Sequence, residues 1–311
     1  MVTRFGSREI CDVTFKAATD GFMLNGHSFK AGQPVFVIDT ATASSMEQAT
    51  NTVYAQGGKG YNRLIAWEGE KTVTFNVTDA LISPLGLAML TGAGLADATA
   101  SAVKHVHATV DAIVDETGVA KVSLATLMDE LGLPGTTTEV KICNDANIKT
   151  YATVLDHNGA IVDWVDAVTV QKATADKTNS AEFKVDAKYA GKTLKLDFYV
   201  YMASGVTEIT IDPSDFGGTF YVEADTLYRN QDGKDMAATL TFPKAKIQSG
   251  FTIAMAPTGD PSTFDFVMDA MPGYTYFDST KKVVCDITIV GGDSSTDNGV
   301  AHSDDINHSK N

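Results

Sequence analysis

Apolar and polar residues alternate with a period of two along much of this chain. In Lys71–Thr78, Val73, Phe75 and Val77 fall on one side, and Thr72, Thr74, Asn76 and Thr78 on the other. That is the pattern of a strand with one buried and one wet face. Phe220, Val222 and Ala224 alternate in the same way against Tyr221, Glu223 and Asp225. Phe264, Phe266 and Met268 alternate against Asp265, Val267 and Asp269, and Phe251, Ile253 and Met255 share a side. Asp232-Gly233 and Asn158-Gly159 each separate two β-rich runs and predict hairpin connections. Pro213, Gly217-Gly218 and Pro257–Pro261 predict further breaks. Gly218–Phe266 therefore predicts four β segments lying edge to edge.

Helical signals are few. Ser83-Pro84 supplies an N-cap and a first-turn proline for a short helix over Leu85–Leu90, which Gly92 and Gly94 can end. Leu85 and Leu90 are its expected anchors. A second helix is predicted from Ser123 to Leu131, with Leu124, Leu127, Met128 and Leu131 on one face and Gly132 and Pro134 as its stop. Both are expected to pack on sheets.

Two stretches lack a pattern. Asp39–Tyr61 holds Ala, Thr, Ser and Gln with a Gly57-Gly58-Lys59-Gly60 cluster. It is expected to be a long irregular loop, in which Ser44 and Glu47 could form a capping box for a short helix. Residues 291–311 are acidic and rich in Ser, Asp, Asn and His, and predict a disordered tail. The expected organisation is a core in two parts, 1–101 and 204–290, interrupted by a β-rich inserted region, 102–203, and followed by the tail.

Composition changes the picture in one respect. The 311 residues carry 24 Lys plus Arg against 39 Asp plus Glu, a net charge of −15. A protein that grips nucleic acid normally presents a basic stripe to phosphate, and this balance argues against one. It fits ordinary solubility, or a wall that surrounds DNA without holding it. No apolar run approaches the roughly 18–20 residues of a membrane span. Met1-Val-Thr-Arg-Phe-Gly6 has no apolar h-region, so no signal peptide is expected and folding in a cytoplasm is.

Candidate chemistry is sparse. Gly57-Gly-Lys-Gly60 lacks the Ser or Thr after lysine that a phosphate loop needs. His105 and His107 share one face of a possible strand, but two imidazoles do not make a zinc site. Cys11, Cys143 and Cys285 form no C-x-x-C pair and are expected to be small buried side chains. Asp293–Gly299 lacks the spacing of a calcium loop. No nucleophile or zinc-protease motif occurs. No catalytic residue, metal or cofactor is expected.

The segments themselves resemble a known family. Ile65-Ala-Trp-Glu-Gly-Glu-Lys71, Asp79-Ala-Leu-Ile-Ser-Pro-Leu-Gly-Leu-Ala-Met-Leu-Thr-Gly92, Glu208-Ile-Thr-Ile-Asp-Pro213, Tyr228-Arg-Asn-Gln-Asp-Gly-Lys-Asp235 and Phe242-Pro-Lys-Ala-Lys-Ile247 resemble the tail tube proteins of large contractile-tailed bacteriophages, of the kind infecting Gram-positive hosts. The resemblance covers about the first hundred residues and Glu208–Val290, not the insert. It implies a mainly β fold: a small β-barrel or sandwich flanked by a short helix. It also implies hexameric rings that stack into a tube in the virion tail, assembled in the host cytoplasm. Implied partners are other copies of the chain, a tape-measure protein, a baseplate, a sheath where one exists, and DNA in transit. By the same resemblance Asp39–Tyr61, with Ser44, Glu47 and Gly57–Gly60, would bridge rings.

Exposed strand edges recruit other strands, and closed rings with stacking satisfy them. Some of Glu223, Asp225, Asp265 and Asp269 are expected to line the lumen, where an acidic wall repels phosphate within a Debye length of about 8 Å. Other readings remain open: another virion component, an extracellular adhesion-type β-sandwich, or a β-rich polysaccharide-acting enzyme with paired carboxylates.

Overall fold

The computed structural model describes residues 4–7, 9–24, 26–248, 250–253 and 263–290. The expected tail at 291–311, Met255 and the Pro257–Pro261 break lie outside these residues. The chain divides into two compact units, Met1–Leu95 with Ile209–Asn311, and Ala96–Glu208.

In chain order the first unit begins with β1 (Phe5–Ser7), β2 (Asp12–Ala17), β3 (Pro34–Ile38), β4 (Ala41–Gly57), β5 (Asn62–Asp79) and α1 (Pro84–Thr91). The second unit contributes β6 (Lys104–Ile113), α2 (Leu124–Glu130), β7 (Glu139–Ile142), β8 (Tyr151–Leu155), β9 (Ile161–Trp164), β10 (Thr174–Asp176) and β11 (Thr193–Met202). The chain then returns with β12 (Thr219–Asn230), β13 (Asp235–Ile247), β14 (Phe264–Ala270) and β15 (Asp286–Ile289). The fold is mainly β.

The first unit is a nine-stranded antiparallel sheet ordered β3-β2-β12-β13-β14-β5-β4, with β1 on β12 and β15 on β13. Among the described residues it is open, since β3 and β4 end the path without pairing with each other, so the barrel alternative gives way to a curled sheet. The curl is visible in the aromatic core. Phe15 of β2 meets Phe220 of β12 and also Phe266 of β14, at centroid separations of 5.8 and 5.9 Å. Phe75 and Phe242 stack at 4.8 Å. The predicted alternation holds on the core side, with Val73, Phe75, Val77, Phe220, Val222, Phe264, Phe266 and Met268 all buried, but Tyr221, expected on the wet side, is buried too, stacked on Tyr276 at 4.1 Å between centroids. The Asp232-Gly233 turn joins β12 to β13, and the Asn230 side chain accepts from the N–H groups of Asp232 and Lys234.

Helix α1 follows its caps. Ser83 Oγ accepts from the Gly86 N–H at 3.0 Å, Pro84 opens the helix, and Gly92 ends it in the left-handed region at φ 75°. Met89 and Leu90 enter the core, whereas the expected anchor Leu85 is only partly buried. Leu85 and Met89 stand one turn apart on the same side of the helix, so the difference is one of position along it: Leu85 lies in the first turn and Met89 in the second.

The second unit is a sandwich. The six-stranded sheet β9-β8-β11-β7-β10, with β6 on β11, shares a core with a three-stranded sheet of Val119–Val122, Ala181–Lys184 and Thr169–Lys172. Phe183 and Phe198 meet between them at 5.0 Å. Helix α2 contributes Leu124 and Leu127, with Met128 and Leu131 packed at its margin. The Asn158-Gly159 turn joins β8 to β9.

Candidate assembly surfaces

The segment expected to be a loop is a strand. β4 runs unbroken from Ala41 to Gly57 and pairs with β5 along its length, from Ala41↔Asp79 to Gly57↔Asn62. No helix forms at Ser44–Glu47. The sequence hides the strand because neither of its faces is buried beyond the base, so no apolar alternation is required.

β14 covers β5 only over Val73–Asp79. Beyond that, from Ala49↔Thr72 to the turn, β4 and β5 form a two-stranded ribbon. At about 3.3 Å per residue it extends roughly 35 Å. Its cross-strand pairs Val53↔Trp67 and Ala55↔Ile65 put those four side chains on one face. Val53, Ile65 and Trp67 are 57%, 54% and 53% exposed, and Leu64 and Tyr61 are exposed as well. An isolated two-stranded ribbon is marginal in water, and this one also presents a row of large apolar groups to solvent. The outer edge of β4 has no strand partner among the described residues.

The tip is the Gly57–Gly60 cluster. Gly58, Gly60 and Tyr61 have φ of 78°, 94° and 51°, and the Tyr61 N–H donates to the Gly58 carbonyl. The glycines are explained by reversal of the chain, since left-handed backbone suits residues without Cβ. Ser44 and Glu47 are not at this tip. They lie roughly 35–45 Å away at the base of the arm, where Ser44 Oγ accepts from the Cys11 N–H at 3.1 Å.

The four carboxylates expected at a lumen share one solvent-facing side of the curled sheet. Their strand neighbours Val222, Ala224, Phe264, Phe266 and Met268 face the core, so period-two geometry turns the acids outward. Glu223 pairs with Lys16. Asp225 accepts from the Thr239 hydroxyl at 2.6 Å, and Asp265 from that of Thr78 at 2.6 Å. Asp269 accepts from Gln248 Nε2 at 2.9 Å. One row of cross-strand neighbours runs Glu47–Thr74–Asp269–Lys246, so Glu47 joins the acidic face rather than the tip. Asp12 stands directly opposite Asp225, a like-charge pairing that disfavours the sheet. Sequence reasoning named Glu47 as a ring-bridging residue and missed its place on the acidic face, and it missed Asp12 and the apolar arm residues altogether, because only register shows which side chains they meet.

His105 and His107 alternate outward along β6 and face Tyr201 and Tyr199 across the ladder. Among the described residues no cluster of His, Cys, Asp or Glu suits a metal ion, and no helix is long and apolar enough to cross a membrane. Cys11 and Cys143 are buried, and Cys285 is partly so. Burial pushes the Cys143 thiol up to about 11 and that of Cys285 to about 12, which keeps both protonated at neutral pH.

No curated protein matches this chain. The YomU/Tube protein family model matches residues 27–282, which takes in the arm, the acidic face and the inserted unit. An open mainly β sheet with a long apolar arm suits a structural part, and the chain belongs to the YomU/Tube family of phage tube-like proteins.

Proposed function

We propose that this chain is the repeating subunit of a phage tail tube, in which six copies close a ring and rings stack into a conduit for DNA ejection. The observation that carries the reading is the β4–β5 arm. It exposes an apolar face along a ribbon too slight to be stable alone, and a second copy of the chain is its proposed occupant. A heterologous contact of this kind propagates, because each copy offers an arm and receives one. The Gly57–Gly60 tip then reaches the next ring, while Ser44 and Glu47 stay in the ring of origin.

In this reading Glu223, Asp225, Asp265 and Asp269, joined by Glu47 and Asp12, face the bore. Their charge repels phosphate and lets DNA pass without adhering. The role is structural, in the virion tail, after assembly in the host cytoplasm. A tape-measure protein in the bore, a baseplate at one end and a surrounding contractile sheath are the proposed partners, in phages of the kind that infect Gram-positive hosts.

Negative-stain electron microscopy of the concentrated protein, with mass photometry beside it, tests the reading. Stacked rings or hollow tubes are expected. Monomers that also fail to assemble with baseplate or tape-measure partners would overturn it. A reconstruction with a neutral or basic bore would remove the acidic-wall part alone.

A further inference from the structure

The outward face of the inserted unit's six-stranded sheet carries a diagonal of rings. Trp164 of β9 is paired with Thr153 of β8, and Tyr151 lies two residues before Thr153 on the same side. Tyr151 is paired with Asp197 of β11, and Tyr199 lies two residues beyond it. Tyr199 is paired with His107 of β6, and His105 lies two residues before that. The four rings Trp164, Tyr151, Tyr199 and His105 therefore step across four adjacent strands, one cross-strand row at a time. With strands about 4.8 Å apart and alternate residues about 6.7 Å apart, each step is roughly 8 Å and the whole diagonal roughly 25 Å.

These rings stand in water. Trp164 is 70% exposed, Tyr151 63% and Tyr199 39%. Their positions are nevertheless held. The buried Tyr189 donates its hydroxyl to the Trp164 carbonyl at 3.2 Å. His107 lies against Tyr199 at 5.4 Å between centroids, and His105 against Tyr201 at 5.3 Å.

Polar groups fill the spaces between the rings. Lys195 Nζ lies 2.8 Å from Asp111, and His107 Nε2 lies 3.0 Å from Asp197. Thr109 and Thr153 add hydroxyls. At the Tyr201 end the face opens into a cleft of about 610 Å³ lined by Glu139, Lys141, Asn144, Asp145 and Tyr201. There the Tyr201 hydroxyl donates to Asp145, and Lys141 Nζ sits 5.8 Å from the Tyr201 ring centre.

We propose that this face and its cleft bind a neutral polysaccharide chain. A pyranose ring has an apolar C–H side and a rim of hydroxyls. It therefore needs aromatic faces spaced along its path, with donors and acceptors between them. A protein partner would instead call for a continuous apolar patch ringed by polar groups, and an anionic polymer for unpaired cations. This face has isolated rings, abundant hydrogen-bonding groups and more carboxylates than cations. The surface belongs to the inserted unit alone, so sugar binding would persist in a chain that failed to assemble into tubes.

Affinity electrophoresis of the full chain tests this, in gels each carrying one soluble uncharged polymer: a glucan, a mannan, a galactan and a soluble N-acetylglucosamine polymer. At least one should slow the protein. The double variant Trp164→Ala/Tyr199→Ala should weaken that affinity about tenfold or more, with unchanged circular dichroism and thermal midpoint. Tyr151→Ala, at another exposed ring, should weaken it independently should the double variant fold poorly. Slowing by none of the four, slowing that all the variants retain, or slowing only in a gel carrying an anionic polymer overturns the proposal. So does a double variant that loses self-association in mass photometry while sugar affinity is unchanged, which would make the face a contact between copies.

Discussion

Many of the carboxylates that make this chain acidic are occupied with holding turns. Asp115 accepts from the N–H groups of Thr117 and Val119, each at 2.9 Å, and from the Thr117 hydroxyl at 2.6 Å. Asp176 does the same for Thr178 and Asn179, and Asp212 and Asp278 for Ser214 and Thr280. These are Asx turns, in which the side chain replaces a backbone acceptor. The hydroxyl of Thr178 and the N–H groups around it hold the Asp176 carboxyl down at about 2, and its counterparts at 115, 212 and 278 are also lowered from 3.8. A carboxylate whose folded pKa is depressed stabilises the fold in full above its unfolded value, and that stability is lost as pH falls through the folded value. The denaturant midpoint should therefore fall as pH drops from 3.8 towards about 2, and Asp176→Ala should show a smaller fall in the same titration. Gly92 is constrained differently. Its φ is 75°, and a Cβ there would sit 2.4 Å from the Phe216 carbonyl oxygen. Gly92→Ala should cost more than about 1 kcal/mol in chemical denaturation, and an unchanged midpoint would refute the close approach. Asp225→Asn, by relieving the opposition with Asp12, should stabilise by about 0.2–1 kcal/mol.

Among the elements, those that bury a face were legible in sequence and those that do not were hidden. Thr72–Thr78 must present Val73, Phe75 and Val77 to the core, so its alternation is imposed by packing. The Ser83-Pro84 start and Gly92 stop of α1 are local backbone chemistry and need no tertiary information. Which leucine anchors that helix does need it. Leu90 is fully buried and Leu85 is not, so Leu90→Ala should cost about 2–5 kcal/mol and Leu85→Ala about 1 kcal/mol or less. Equal losses in thermal melts would contradict this packing. The arm was illegible because Thr42–Gln56 contacts only its β5 partner for much of its length, and a two-sided wet strand carries no hydrophobic period. Ile65→Ser/Trp67→Ser should leave monomer stability within about 0.5 kcal/mol while abolishing the rings or tubes seen by electron microscopy. A variant that still polymerises would remove the arm from the assembly contact.

For the whole molecule, a net charge of −15 sets copies against one another before any specific contact forms. The Debye length shrinks from about 30 Å at 0.01 M salt to about 8 Å at 0.15 M. Assembly monitored by light scattering should therefore be slow at the lower ionic strength and faster at the higher one, with tubes of unchanged diameter. Faster assembly in low salt would mean that attraction between unlike charges, not apolar contact, drives the association. The amino-acid sequence by itself determined the mainly β character, the hairpins at Asp232-Gly233 and Asn158-Gly159, and both helix starts. Each of these follows from backbone preference or from a period set by one buried face. Only the tertiary structure decided that the sheet curls until Phe15 meets Phe266, that the Gly57–Gly60 cluster tips a bare ribbon, and that Trp164, Tyr151, Tyr199 and His105 fall on one diagonal. Those relations depend on strand register between distant segments. Register is settled by the simultaneous fit of many weakly specific contacts, which no local stretch of the chain contains.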